Sequence, residues 1–244
     1  MSARHLLVDA GNTRLKWALV AGGRWESQGH ADYSDLSALA KWVPAGGECT
    51  IASVAGADRD RQLAGLLSRH EIEPRWLTAN AQFLEVRNTY ANPAQLGVDR
   101  WMGLIAARQR NPAATLVVSL GTALTVDALS ADGVFLGGLI IPGRSLMQQS
   151  LRLGTAQIEG VDGHWQAFPQ NTADAVQSGM VAAMSGAIHL QHARLAKQCG
   201  CIPLCLLTGG DAAILMPYLD LPVEQVPLLV LEGIARVVNE GGAG

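Results

Sequence analysis

The sequence predicts an α/β fold made of two copies of a similar unit. Each half of the chain opens with three apolar strands joined by short turns, and helices then alternate with strands. In each half the first turn is small and polar: Gly11-Asn12-Thr13 in the first and Gly121-Thr122-Ala123 in the second. A three-stranded meander followed by helix–strand alternation implies a mixed sheet covered by helices. We therefore expect two domains, 1–113 and 114–244, whose first turns face each other across a cleft.

The first half contributes a β-β-β-α-β-α-β pattern. Apolar runs around Asp9–Thr13 predict two strands, and Gly22-Gly23 leads into a third. Helical spacing of apolar residues predicts a helix over 35–43 that stops at Pro44, and an amphipathic helix over 58–70. Residues 49–54 and 75–77 predict short buried strands, 88–93 a polar loop, and 101–108 a helix ended by Asn111-Pro112.

The second half repeats this order of strands and helices. Strands are predicted at 115–119, 124–129 and 134–141, with a helix over about 144–153. An irregular connection over 152–169 precedes a long helix that Asn171-Thr172-Ala173-Asp174 caps and that extends to about Gln198. A strand at 203–207, a short helix and a final helix over 228–239 complete the pattern.

Composition narrows the classes of function. The chain has 244 residues, 49% of them hydrophobic, and a net charge of −3. Since no Lys/Arg block is present, nucleic acid is not expected as the main partner. No apolar run is long enough for a membrane span and no signal-peptide pattern precedes the first strand, so a cytoplasmic protein is expected.

Four cysteines are present, three of them clustered as Cys199, Cys201 and Cys205. The C-x-C-x3-C spacing does not match a zinc site. Cys205 lies in a predicted buried strand, where cysteine behaves as a small hydrophobic residue. Structural disulfides are not expected in a reducing compartment.

The first turn offers the clearest functional signal. The strand before it ends in Asp9, and Gly11 lets the main chain turn tightly and admit a ligand. Successive N–H groups in such a turn form a concave anion site. One interpretation is a phosphate-binding hairpin in which Asp9 organises a hydrated Mg²⁺ and Lys16 or Arg14 meets phosphate oxygens. The alternative is an exposed type I′ hairpin, which Asn and Gly also favour.

Other Gly-centred turns extend the phosphate hypothesis. The turn at Gly121 could hold phosphates together with the first, and Gly209-Gly210-Asp211 follows a strand and precedes a helix, so a flat ring or ribose could pass close to it. Neither a Walker A sequence nor a Rossmann glycine fingerprint occurs.

Asp99 is a candidate general base. It lies beside Arg100 at a predicted helix start, where the helix dipole and the cation would keep the carboxylate ionised at neutral pH. Phosphoryl transfer needs such a group to orient the acceptor hydroxyl. A plain N-cap is the alternative, and it is the usual role of Asp at this position.

These motifs, in this order, resemble the type III pantothenate kinases. The resemblance rests on 9–13, on Gly97-Val98-Asp99-Arg100, on 121–127 and on 137–143, with further matches at Asn171-Thr172, Gly179 and 208–211. It implies the acetate and sugar kinase, Hsp70 and actin superfamily: two duplicated RNase H-like domains with a nucleotide cleft between them. It further implies a homodimeric kinase that phosphorylates pantothenate with ATP and Mg²⁺ in the first committed step of coenzyme A synthesis.

The resemblance also implies roles for individual residues. ATP phosphates would be held by Asp9, Ala10, Gly11, Asn12, Thr13, Arg14, Leu15 and Lys16, with Thr122 from the second turn. Pantothenate would be held by Tyr90, Gly97, Val98, Asp99 and Arg100, with Asp99 as proton acceptor, and by Thr172 of the partner subunit. A guanidinium fork such as that of Arg100 matches a carboxylate bidentately.

One position departs from the family pattern. The family usually has an acid two residues before the Gly-Thr-Ala turn, where it binds a monovalent cation, K⁺ or NH₄⁺; here the residue is Ser119. We therefore expect weak or absent dependence on a monovalent cation.

Two other functions stay open at this point. The chain could be a non-enzymatic nucleotide-binding regulatory protein, since relatives have been named as accessory factors in transcription. It could also be a kinase of another small hydroxyl or carboxylate substrate.

Overall fold

The computed structural model describes residues 4–155, 158 and 163–241. Its helices and strands, in chain order, are β1 (Arg4–Ala10), β2 (Arg14–Ala21), β3 (Arg24–Asp32), α1 (Ser37–Ala40), β4 (Glu48–Ser53), α2 (Ala57–Ser68), β5 (Arg75–Trp76), β6 (Gln82–Phe83), β7 (Val86–Asn88), α3 (Val98–Arg110), β8 (Thr115–Leu120), β9 (Ala123–Leu129), β10 (Val134–Pro142), α4 (Arg144–Gly154), α5 (Thr172–Cys199), β11 (Leu204–Thr208), α6 (Ala212–Leu215), β12 (Val223–Gln225) and α7 (Leu229–Asn239). Short 3-10 turns cover Pro93–Gln95 and Met216–Tyr218.

The chain divides into two compact units. Unit 1 comprises Met1–Arg110 and Leu228–Gly244, and unit 2 comprises Asn111–Pro227. The sequence had suggested a single boundary at 113/114 with the C-terminal segment in the second domain. The structure instead groups α7 with α3, because Gly233 brings the two helices so close that a Cβ there would lie 2.0 Å from the Met102 carbonyl oxygen.

The two units share one strand order. In unit 1 it is β3-β2-β1-β4-β5, and in unit 2 β10-β9-β8-β11-β12. In both, the first three strands pair antiparallel and the last two join in parallel. The duplication inferred from the two Gly-containing turns is therefore present in the topology.

Strand β1 is buried on both faces, as expected for a central strand. Leu6, Val8 and Ala10 are fully buried and share a core with Leu63 and Leu67 of α2. Leu7 is equally buried on the opposite face, outside that core. Because side chains alternate along a strand, Asp9 lies on the face of Leu7 and not on the face of α2.

In unit 2, strands β8, β9 and β11 share a core with the long helix α5. The helix presents Val181, Met184, Ile188 and Leu195 to it. Asn171 caps α5 as predicted, its side chain accepting the Asp174 N–H at 2.9 Å. Gly200, in the left-handed region with φ +64°, ends the helix.

One local prediction was wrong, and one element was missed. The helix expected over 35–43 is only four residues long, and the chain then continues in i→i−3 turns toward Pro44, which disfavours helix in the residue before it. The short hairpin of β6 and β7 was not predicted. Part of the irregular connection expected over 152–169 lies outside the described residues. No helix in the described part of the chain meets the length and apolarity that a bilayer crossing requires.

Candidate active site

The first turn joins β1 to β2, and the register of these strands pairs Asp9 with Lys16. The turn residues Gly11, Asn12 and Thr13 lie between them. The Tyr33 hydroxyl donates to the Gly11 carbonyl at 2.8 Å. Arg59 donates to the Asn12 carbonyl. Two side chains from other elements thus hold the turn in place, and a freely exposed hairpin would lack such contacts.

Sequence reasoning missed the two supporting side chains. Tyr33 follows β3 and Arg59 belongs to α2, so neither lies in a recognisable motif. The Arg59 guanidinium lies 4.7 Å from the centre of the Tyr33 ring, a cation–π arrangement. This contact keeps the Tyr33 hydroxyl and the Arg59 guanidinium side by side, where both donate to the turn.

The electrostatics of the first turn centre on Asp9 and Lys16. Desolvation raises the pKa of Asp9 to about 7, Lys16 opposes the rise, and the charge of Asp99 adds to it. Desolvation also lowers the pKa of Lys16, although Asp9 counteracts this. A carboxyl group in this state gains from a nearby cation, because the cation restores the stability of its ionised form.

The predicted acceptor residues form a second group in unit 1. Arg100, only 7% exposed, donates through Nη1 to the Tyr90 hydroxyl at 3.2 Å. Asp99 packs beside Gly97, where an added Cβ would lie 2.6 Å from Asp99 Oδ1. Val98 is buried at the start of α3. Tyr90 is therefore in contact with the segment Gly97-Val98-Asp99-Arg100, whose role toward pantothenate stays a prediction.

The structure corrects two expectations about Asp99. The residue is not an N-cap: it lies in the first turn of α3, after Val98, and its Oδ1 accepts the Arg100 backbone N–H at 2.8 Å. Its pKa is raised, not held low. Desolvation outweighs the hydrogen bond and the positive charge of Arg100, both of which favour the carboxylate. A higher pKa makes the carboxylate a stronger base.

The second turn, in unit 2, is built by close backbone contacts. Gly121 N–H donates to Ala123 O at 3.1 Å, and Gly143 N–H donates to Thr122 O at 3.0 Å. A Cβ on Gly143 would lie 2.2 Å from the Gly121 carbonyl oxygen, so only glycine fits there. The Thr122 residue is exposed at the tip.

The third glycine turn supports the second. Gly209, with φ +100°, lies against Leu120, where a Cβ would be 2.1 Å from the carbonyl oxygen. Asp211 N–H donates to that same oxygen at 3.3 Å. The Asp211 carboxylate lies 3.7 Å from Nε of Arg144, which begins α4. Arg144 therefore lies beside the third turn.

Ser119 lies next to the second turn in a row of hydroxyl residues. Its register neighbours are Thr125 on β9 and Thr208 on β11. Residues opposite each other in adjacent strands point to the same face, so three hydroxyl side chains share it. None of them carries the charge that an acid at position 119 would supply.

Thr172 is the first residue of α5 and is exposed. It lies in unit 2, in the turn capped by Asn171. Its predicted role toward a partner subunit stays a prediction.

A metal would depend mainly on Asp9. The described residues contain no cluster of three or more His, Cys, Asp or Glu side chains suited to a metal. Mg²⁺ usually takes one or two carboxylates and completes its shell with water and phosphate, so a single carboxylate such as that of Asp9 could hold it. The desolvated Asp9 carboxyl, with its raised pKa, is a suitable donor.

Comparison with known proteins identifies the family that the sequence motifs resemble. The family model of type III pantothenate kinases matches residues 5–194. A type III pantothenate kinase from Thiobacillus denitrificans is 56% identical over 244 residues, with 100% of each chain covered.

Two solved structures are similar in fold. A Campylobacter jejuni protein named for the Baf family of transcriptional activators superposes with a TM-score of 0.64 at 22% identity, covering 97% of this chain and 98% of its own. The ADPNP-bound activator of 2-hydroxyisocaproyl-CoA dehydratase from Clostridium difficile gives 0.52 at 9% identity, covering 100% and 99%. The chain has the α/β fold of the actin-like ATPases and sugar kinases. Because the family model matches most of the chain and a relative above half identity matches over its full length, the chain belongs to the type III pantothenate kinase family.

Proposed function

We propose that this protein transfers the γ-phosphoryl group of ATP to the primary hydroxyl of pantothenate, giving 4′-phosphopantothenate at the start of coenzyme A synthesis. The observation that carries the proposal is the group formed by Tyr90, Gly97, Val98, Asp99 and Arg100, hereafter the Asp99 cluster. It combines a carboxylate of raised pKa with a buried guanidinium, in the same unit as the turn of Asp9 and Lys16.

The donor phosphates are assigned to residues 9–16, with Thr122 of the second turn as a further contact. Backbone N–H groups of the turn bind phosphate oxygens, and Lys16 neutralises their charge. Asp9 holds Mg²⁺, which supplies charge neutralisation of the phosphates when bound. Tyr33 and Arg59 keep the turn in place from behind.

The acceptor is assigned to the Asp99 cluster. The Arg100 guanidinium pairs with the carboxylate of pantothenate, and the Tyr90 hydroxyl orients that guanidinium. The Asp99 carboxylate accepts the proton of the attacking hydroxyl. A loose transition state asks little of the base until late in the transfer, so a carboxylate suffices.

The proposal extends to the oligomeric state and the cellular location. The protein acts as a homodimer in the cytoplasm, and Thr172 at the exposed start of α5 contacts the pantothenate held by the partner subunit. Mixing two inactive variants, one changed at Asp99 and one at Thr172, tests this, because a mixed dimer would regain one complete site.

The substrate is tested by following ADP formation with pantothenate, acetate or a hexose as acceptor. Of the three acceptors, we expect only pantothenate to be turned over. Asp99→Asn should lower turnover by roughly two to four orders of magnitude, the usual contribution of a general base. The matched control is Asp58→Asn, which makes the same change at an exposed aspartate on α2. It should leave turnover unchanged.

Equal turnover with acetate or a hexose would refute pantothenate as the acceptor. Full activity of Asp99→Asn, in protein with an unchanged circular dichroism spectrum, would refute the assignment of the base.

A further inference from the structure

Cys199 and Cys201 form a close thiol pair at the end of α5. Gly200 lies between them with φ +64°, and its N–H donates to the Ala196 carbonyl at 2.9 Å. This left-handed residue turns the chain back on itself, which a residue with a side chain would resist. As a result the two Sγ atoms lie 2.7 Å apart.

The pair differs from the other cysteines in its access to solvent. Cys201 is exposed and Cys199 is half-buried, whereas Cys49 and Cys205 are buried. Desolvation raises the pKa of both buried thiols to about 12. Since the thiolate is the nucleophile, Cys49 and Cys205 are inert toward reagents in solution.

The surroundings of Cys199 hold its sulfur in position. Its Sγ lies 3.8 Å from the Ala196 carbonyl oxygen and 3.6 Å from that of Cys201, in the geometry of S–H donation. Cys199 also packs against the core of unit 2, so its side chain has little freedom. The exposed partner is Cys201.

We propose that Cys199-Gly200-Cys201 is a redox-active dithiol that forms a reversible intramolecular disulfide by exchange with small-molecule disulfides such as glutathione disulfide. This chemistry is separate from the phosphoryl transfer, and none of the residues assigned to ATP or pantothenate takes part in it.

The exchange proceeds in two balanced steps. The Cys201 thiolate attacks one sulfur of the small disulfide, whose S–S bond breaks to release one thiolate and leave a mixed disulfide on Cys201. The Cys199 thiolate then attacks Cys201 Sγ, a new S–S bond forms, and the second small thiolate leaves. The protein loses two protons and two electrons, and the small disulfide is reduced to two thiols.

The roles of the two sulfurs follow from access and contact. Only Cys201 is exposed enough to meet a reagent first. Its hydrogen bond with Cys199 raises its pKa, so the first step should quicken as the pH rises toward alkaline values. Once Cys201 carries the mixed disulfide, the adjacent Cys199 displaces the small thiol within the molecule, which proximity strongly favours.

The test uses the reduced full-length protein, glutathione disulfide in excess, and intact-mass spectrometry. We expect the wild-type mass to fall by two hydrogen atoms without a lasting glutathione adduct. The bond should map to the tryptic peptide that begins at Gln198, with Cys205 in that peptide still open to alkylation after denaturation. Dithiothreitol should restore the starting mass.

Single serine variants separate the two steps. Cys199→Ser should keep one glutathione as a stable adduct on Cys201, because the resolving thiol is gone. Cys201→Ser should react much more slowly. Cys49→Ser, at a buried cysteine, is the matched control and should behave as the wild type.

The proposal is overturned if the wild-type protein does not react with glutathione disulfide. It is also overturned if the wild-type protein keeps a lasting glutathione adduct, as is expected only of Cys199→Ser, or if its disulfide includes Cys49 or Cys205.

Discussion

Asp9 and Asp99, far apart in the sequence, lie near enough in unit 1 for the negative charge of Asp99 to act on Asp9. Desolvation is the main reason that the pKa of Asp9 reaches about 7, and the charge of Asp99 adds to it against the opposing effect of Lys16. The residue assigned to the donor phosphates and the residue assigned to the acceptor hydroxyl are therefore electrostatically linked within one unit.

The raised pKa of Asp99 predicts the acid side of the pH–rate profile. The base must be ionised, so kcat/KM for pantothenate should fall as the pH drops through the pKa of Asp99. Because desolvation raises that pKa above 3.8, the fall should begin at a higher pH than for an exposed aspartate. The measurement is kcat/KM between about pH 4 and about pH 9 at saturating ATP. A profile flat down to the ordinary aspartate range would contradict it.

Arg100→Lys should weaken pantothenate binding more than turnover. Lysine keeps the charge but loses the planar fork that binds a carboxylate through two parallel hydrogen bonds. We expect KM for pantothenate to rise about tenfold or more, since a hydrogen bond to a charged group contributes about 1.5–3 kcal/mol. KM for ATP should stay unchanged. Tyr90→Phe removes the hydroxyl that Arg100 contacts and should give a smaller rise of the same kind.

Gly143→Ala should distort the second turn, Gly121-Thr122-Ala123. The new methyl group would lie 2.2 Å from the Gly121 carbonyl oxygen and 2.7 Å from that of Thr122, so the turn must shift. We expect a higher KM for ATP and a lower melting temperature. Gly65→Ala on α2 is the control, since nothing lies within 4 Å of its added Cβ. It should leave KM unchanged and stabilise the protein by up to about 1 kcal/mol through helix propensity.

Ser119→Asp should create dependence on a monovalent cation. The wild type has only hydroxyl side chains across β9, β8 and β11 at this level, namely Thr125, Ser119 and Thr208. Without a carboxylate the wild type should work equally well in Na⁺ or Tris buffer with or without K⁺ or NH₄⁺. The aspartate variant should be inactive without these ions and should regain activity as K⁺ is added. Strong, saturable activation of the wild type by K⁺ would contradict the prediction.

Much of this structure could be predicted from local patterns. The turn at Gly11, the cap at Asn171 and the central strands depend on residues adjacent in sequence, and they are where the pattern placed them. The repeat of small polar turns also predicted the duplication, since both units have the same strand order.

What could not be predicted depends on residues distant in sequence. The supports from Tyr33 and Arg59 require β3 and α2 to be packed before either side chain reaches the turn. The pKa of Asp99 was expected to be low because a helix start and a neighbouring arginine are visible in the sequence, whereas desolvation by the folded chain is not. The place of α7 in unit 1 likewise depends on residues distant in sequence: Gly233 lies against Met102, and Glu232 and Arg236 form ion pairs with Arg110 and Glu85.

The position of α7 affects how the chain can fold during synthesis. Unit 2 is one continuous segment, Asn111–Pro227, so it can complete its core while later residues are still being made. Unit 1 cannot, because α7 supplies Leu229, Leu231 and Ile234 to its interior only after all of unit 2 has left the ribosome. The half of the protein that is translated first therefore cannot bury the surface that α7 covers until the last helix has been made.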